Sequence, residues 1–282
     1  MIIDSHHHFW NYSPERDTWI EGHMGVLKRD FGPSDLYPML SAHGVAGAIT
    51  VQTAHSEEET LHLLALAARH DFIKGVIGWT DLCAPQAHDR LQALGESGYL
   101  KGIRHLVQFE PQGFMARADF RRGVQLLSPL NLSYDVLLFH HQLPEAVDFC
   151  AALDQQVLVI DHLAKPVMKP ENFDFWARHM RQLGAMGHTF CKLSGLVTEA
   201  SWQTWKKEDF RPYLDTVFEA FGEDRLLFGS DWPVCLLAAS YEQVLDLVFS
   251  YMQTSSADTR QKVMAQNAVK VYGLDVPELI RA

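Results

Sequence analysis

Short apolar runs alternate along this chain with longer amphipathic stretches. The runs are Ile2 to His8, Ala46 to Thr53, Ile73 to Trp79, Leu100 to Val107, Leu132 to Phe139, Val157 to His162, Thr189 to Ser194 and Arg225 to Asp231. Their length and their Val, Ile and Leu content predict buried strands. Between the second and third, "SEEETLHLLALAARH" predicts a helix, with Ser56 as N-cap and Glu59 completing a capping box. Its apolar stripe is read as Leu61, Leu64, Ala65 and Ala68. Gln86 to Gly95 and Leu143 to Asp154 repeat the helical theme. Strands alternating with helices in this way predict parallel units closed into a single (β/α)8 TIM barrel. The alternative, an open doubly wound sheet, calls for a Gly-rich phosphate turn after an early strand. No GxGxxG or P-loop pattern is present, and no repeat or Pro/Gly/Ser linker divides the chain, so residues 1–282 are expected to form one domain.

Composition narrows the partners. The chain carries 24 basic and 35 acidic residues, a net charge of −11. That balance disfavours nucleic acid and anionic membranes, both of which need clustered Lys and Arg. An anionic small molecule stays open, because one buried arginine can recruit it. Cys83, Cys150, Cys191 and Cys235 show no metal-binding spacing and read as reduced thiols. No apolar run approaches the roughly 18 residues of a membrane span. Strand-like text begins directly after Met1, so the expected location is cytoplasmic. A homo-oligomer is compatible with all of this.

The active site of a barrel lies at the C-terminal ends of its strands. Those ends carry His6-His7-His8, Gln52-Thr53, Trp79-Thr80-Asp81, Arg104-His105, His140-His141, Asp161-His162, Lys192-Leu193-Ser194 and Ser230-Asp231-Trp232. Strand alternation sets Asp4, His6 and His8 on one face; with Ile3 toward the helices, both imidazoles enter the barrel mouth. Two imidazoles at i and i+2 can share one metal. A lone histidine would read as packing, and a purification tag would not continue a native strand. Arg104 and His105 are adjacent, so one of them faces inward.

Five motifs, "DSHHHFW", "GIRH", "DHLAKP", "KLSGL" and "FGSDWPV", occur in that order, followed by "QNAVKVYGL". Together they resemble the amidohydrolase superfamily, and more narrowly its amidohydrolase-2 branch of sugar lactonases, from residue 2 to about residue 273. The resemblance implies a TIM-barrel hydrolase that opens an aldonolactone, such as L-fucono- or L-rhamnonolactone. It implies one divalent metal, zinc first, on His6, His8, His162 and Asp231, and also that some lactonases of the branch work without one. No carboxylated-lysine arrangement is seen, since Lys101 lies at the start of its strand. Asp231 is the expected base, with His162, Arg104 and His105 completing the catalytic set. Gln52, Trp79, His140, Lys165 and Trp232 are the expected substrate contacts, core packing being the equal alternative for the tryptophans. Lys165 and Lys192 can also be read as structural or surface residues. His140 can replace His162 as metal ligand, and Asp4 can orient an imidazole. The rival activity is a zinc-dependent decarboxylase on the same scaffold; a non-catalytic sugar-acid binder is the rival of another class.

Overall fold

The computed structural model describes residues 1–276, and every expected run carries a strand. These are β1 (Ile2–His7), β2 (Val45–Val51), β3 (Ile73–Gly78), β4 (Leu100–His105), β5 (Ser133–Val136), β6 (Leu158–Ile160), β7 (Thr189–Leu193) and β8 (Leu226–Phe228). All pairs are parallel and follow chain order, with helices in the connections: a single (β/α)8 barrel. No helix among the described residues is long and apolar enough to cross a membrane.

The helix Glu57–Ala67 begins as expected, with Ser56 Oγ accepting from the Glu59 N–H at 3.2 Å. The Glu59 carboxylate turns elsewhere, to the backbone N–H groups of Thr53 at 2.9 Å and Ala54 at 2.8 Å. The buried face is also rotated from the expected one. Thr60, Leu63, Leu64, Leu66 and Ala67 are buried, whereas Leu61 is 53% exposed and Ala65 and Ala68 are exposed. The cause is Thr60, whose hydroxyl meets both the carbonyl and the N–H of Trp79 at 2.8 Å and pins the helix against β3. With leucines on nearly every side, periodicity alone could not set that rotation.

Ile3, Ile49, Val51, Ile77, Val159, Phe190 and Leu227 fill the lower barrel together with Tyr272 and Leu274. Two positions beyond Val159 and Phe190, Asp161 and Lys192 project into the same interior one layer higher. Arg104 and Asp135 join them, and all four side chains are buried. The barrel is thus apolar below and charged above.

Here β1 departs from the expected alternation. Ile3 belongs to the interior, and Asp4 points outward, accepting from the Tyr241 hydroxyl at 3.1 Å and from the N–H groups of Ser230 and His6 at 2.9 and 3.2 Å. A register irregularity between Asp4 and His7 resets the phase, so His6 and His8 still reach the interior. Asp4 therefore orders backbone and not an imidazole. Burial pushes its carboxyl up to about 6, against the pull of those hydrogen bonds.

Among the described residues no strand ladder joins β8 back to β1. Single links close the seam: Ser5 Oγ donates to the Phe228 carbonyl at 2.6 Å, the Asp231 N–H to the His6 carbonyl at 2.8 Å, and the His8 N–H to the Trp232 carbonyl at 2.7 Å. Gly229 permits this approach, since a Cβ there would lie 2.7 Å from His6 Cβ. The seam carries Asp231 to the histidine pair.

Candidate active site

His6 and His8 place their Nε2 atoms 3.2 Å apart at the barrel mouth. Asp231 Oδ1 lies 3.7 Å from the His6 Nε2, 3.4 Å from that of His8 and 3.8 Å from that of His162. Above them opens a cleft of about 140 Å³. Thr53, Arg104, Gln108 and Lys165 contribute polar groups to its wall; Trp19, Leu106, Phe109, Leu137 and Val234 contribute apolar ones.

The protonation pattern follows from the partners. His8 Nδ1 is 2.7 Å from the Val51 carbonyl, which only accepts, so Nδ1 holds the proton and Nε2 the lone pair. His6 Nε2 is 3.3 Å from the Arg104 guanidinium, which only donates, so Nε2 carries the lone pair there too, with Nδ1 3.4 Å from Asp161 Oδ1. Burial holds the His6 imidazole well below its ordinary pKa, with Asp161 opposing, and lowers His162 to about 4 against the pull of Asp231. Both rings are neutral at pH 7. Burial opposes ionisation of Asp231, yet His162 and His8 outweigh it and hold the carboxyl below its ordinary value. Two lone-pair nitrogens and a carboxylate oxygen facing one point form the donor set of a divalent cation. The residues fit one metal.

His162 owes its position to an unusual turn. After β6 the chain takes four successive residues into the left-handed region: His162 (φ 54°), Leu163 (51°), Ala164 (57°) and Lys165 (46°). Each costs about 1–2 kcal/mol without a glycine. Burial of Leu163 and Ala164 and a 2.7 Å bond from the Trp176 indole N–H to the Leu163 carbonyl enforce it. The turn brings both His162 and Lys165 to the cleft wall. Ser194 Oγ, 2.9 Å from His162 Nδ1, orients the ring.

Gly195 packs flat against that ring; its φ is +64°, and a Cβ there would lie 2.6 Å from His162 Nδ1. Gly195→Ala is expected to displace the imidazole and lower kcat/KM for chemistry at this centre roughly 10- to 100-fold. The added left-handed alanine should also cost about 1–2 kcal/mol in urea melts. Rates equal to the parent's would show that the His162 ring position does not matter.

Other expected site residues lie at varied distances from this centre. Arg104 turns inward, 3.3 Å from His6 Nε2 and 3.1 Å from Asp161 Oδ2, with Gln52 holding its guanidinium through Oε1 at 3.1 Å. Gln52 is thus buried behind Arg104 and supports it. His105 faces the opposite way, as strand alternation requires of its neighbour, and contacts Glu110 and Trp79 outside the histidine centre. Trp79 goes with it. Trp232 is buried against Phe9 and Phe31 in the core, and His140 packs on Phe175 of the helix Pro170–Gly184. His162, not His140, reaches Asp231.

Of the charged layer, Asp135 is not singled out by the sequence, and Lys192 reads there only as structural or surface. Lys192 Nζ is 2.5 Å from Asp135 Oδ2, 3.0 Å from Asp161 Oδ1 and 3.2 Å from His6 Nδ1. Burial pushes the Asp135 carboxyl up despite Lys192; at Asp161 burial is outweighed by Lys192, His6 and Arg104, and its carboxyl lies well below its ordinary value. Apolar neighbours on β5, β6 and β7, combined with period-two alternation, are the signal that would have found these residues.

The chain belongs to the amidohydrolase family, whose model matches residues 3–274. It is 42% identical over 289 residues to an L-fucono-1,5-lactonase of Burkholderia multivorans, covering 98% of this chain and 97% of that one. An L-fucono-1,5-lactonase of Burkholderia ambifaria is 32% identical, with 98% and 96% covered. A crystal structure of a B. multivorans amidohydrolase with bound zinc superposes with a TM-score of 0.94 at 42% identity, covering 97% of this chain and 99% of that one. A 2,6-dihydroxybenzoate decarboxylase, 13% identical with a TM-score of 0.66, shares the fold alone.

Proposed function

We propose that this protein hydrolyses a sugar-acid lactone, a deoxyhexonolactone of the L-fucono type first, by attack of water on the ring carbonyl. The whole chain acts as one cytoplasmic catabolic domain in this reading. The observation that carries it is the Asp231 carboxylate, within 3.4 to 3.8 Å of three imidazole Nε2 atoms beneath a cleft lined by both polar and apolar side chains.

Ester hydrolysis needs a base, a polarised carbonyl and a proton for the leaving oxygen. Asp231, ionised at neutral pH, takes a proton from water as the water oxygen bonds to the carbonyl carbon. Negative charge then builds on the carbonyl oxygen. Arg104 and Lys165, both lining the cleft, supply N–H donors to meet it. As the ring C–O bond breaks, Asp231 returns the proton to the leaving ring oxygen, and the open hydroxy acid forms. His6, His8, His162 and Asp231 would hold a single ion, zinc for this donor set, which when bound acidifies water toward a pKa of about 7. That chemistry compensates for a base as weak as Asp231.

A pH-indicator assay over a panel of aldonolactones, with chelated and zinc-supplemented enzyme, tests the proposal. Proton release far above the spontaneous rate for one sugar lactone is expected. Carbon dioxide release from an aromatic acid, with no lactone opened, would overturn it in favour of a decarboxylase.

A further inference from the structure

A second cluster of titratable groups stands beside the cleft at the ends of β2, β3 and β4. His55 stacks on Trp79 with centroids 5.3 Å apart and on His105 at 3.9 Å. His105 Nε2 is 2.8 Å from Glu110 Oε1, and the Trp79 indole N–H donates to His105 Nδ1 at 3.2 Å. His55 Nε2 accepts from the backbone N–H of Leu106 at 2.8 Å. Two histidines and a glutamate resemble a metal site in composition. Their hydrogen bonding is different: the Leu106 and Trp79 N–H groups already use the acceptor nitrogen of His55 and of His105. The cluster is a clamp.

What it clamps is the segment Leu106–Glu110. His55 holds one end and His105 the other, while Gln142 Nε2 bonds the Val107 carbonyl at 2.9 Å between them. The Leu106 N–H can only donate, so His55 Nε2 serves as the acceptor that ties this end down. From this segment Leu106, Gln108 and Phe109 line the cleft. Phe109 is 61% exposed, unusual for its type, and its ring meets Phe139 edge-on at 6.1 Å. Gln108 Oε1 is buried and has no hydrogen-bond partner among the described residues. A buried amide oxygen left in that state costs about 1–3 kcal/mol, which a ligand's hydroxyl can recover.

We infer that Gln108 is a specificity-determining residue that accepts a hydrogen bond from a ring hydroxyl of the substrate, with His55 as the positioning residue that holds its loop. Leu106 and Phe109 beside it cover an apolar edge of the same ring. The inference rests on the lactone-hydrolase reading and names the group within the cleft that distinguishes a hydroxylated lactone from a bare one.

The test compares L-fucono-1,5-lactone with δ-valerolactone, the same ring without hydroxyls, in parent, Gln108→Leu, His55→Gln and His55→Phe enzymes of unchanged thermal melt. Gln108→Leu should lose about 10- to 100-fold in kcat/KM on the sugar lactone and less than about twofold on δ-valerolactone. His55→Gln keeps an acceptor for the Leu106 N–H and should stay near the parent. His55→Phe keeps the stacked ring without the acceptor and should raise KM for the sugar lactone more than it lowers kcat. An unchanged ratio of the two substrates in Gln108→Leu would overturn the inference alone. A parent enzyme that opens no sugar lactone of the panel would overturn the function itself and the inference with it.

Discussion

Asp231→Asn is expected to lower kcat/KM on a sugar lactone by roughly 10²- to 10⁴-fold, the usual loss when a general base is removed. Asparagine has the size of aspartate but cannot take up a proton at neutral pH. The backbone should not object. Asp231 sits at φ 56°, a left-handed conformation that asparagine tolerates better than most residues. Its structural hydrogen bonds, N–H to the His6 carbonyl at 2.8 Å and carbonyl from the Cys235 N–H at 2.9 Å, use backbone atoms and survive the exchange. The loss should therefore appear in turnover and not in the thermal melt. Near-parent rates with intact structure would remove Asp231 from the mechanism.

Lys192→Met is expected to destabilise the fold by about 3–5 kcal/mol, the cost of leaving a buried charge without its partner. Arg104 and Lys192 stand against Asp135 and Asp161 in the barrel interior, and all four are buried. Methionine fills the volume but leaves one carboxylate charge uncompensated. Asp161 keeps Arg104 at 3.1 Å; Asp135 keeps only neutral donors, Ser133 at 3.0 Å and Tyr272 at 3.1 Å. Asp135 is accordingly the group left exposed to the imbalance. Adding Asp135→Asn to Lys192→Met should restore part of the lost stability, because the double variant removes one charge of each sign. Urea melts of the parent, Lys192→Met, Asp135→Asn and the double variant measure this directly. A Lys192→Met protein as stable as the parent would show that the charged layer contributes little.

The barrel was legible because parallel strands buried on both faces read as short apolar runs, and polar residues marked their ends. His6, His8 and Asp231 were legible as strand-end residues for the same reason. Their exact phase was not. Ile3 was expected on the helix side, and only the irregularity between Asp4 and His7, invisible in a list of side chains, returns His6 and His8 to the interior. The turn His162–Lys165 has no glycine to announce its left-handed backbone; burial and Trp176 impose it from a distance. Lys192 illustrates a third limit. A lysine at a strand end reads as solvated unless its partners are known, and those partners, Asp135 and Asp161, come from two other strands. His105 shows alternation working as expected once Arg104 is assigned inward. Gln108 had no sequence signal, because its meaning comes from the loop that His55 holds.

Hydrolysis in ¹⁸O-labelled water, followed by mass spectrometry of the opened sugar acid, tests the central claim most directly. Water activated at Asp231 and delivered to the ring carbonyl predicts one ¹⁸O in the carboxylate, none in the released hydroxyl, and labelled product formed roughly 10²- to 10⁴-fold more slowly by Asp231→Asn. Label in the hydroxyl, or incorporation at an equal rate by the Asn variant, would contradict the account.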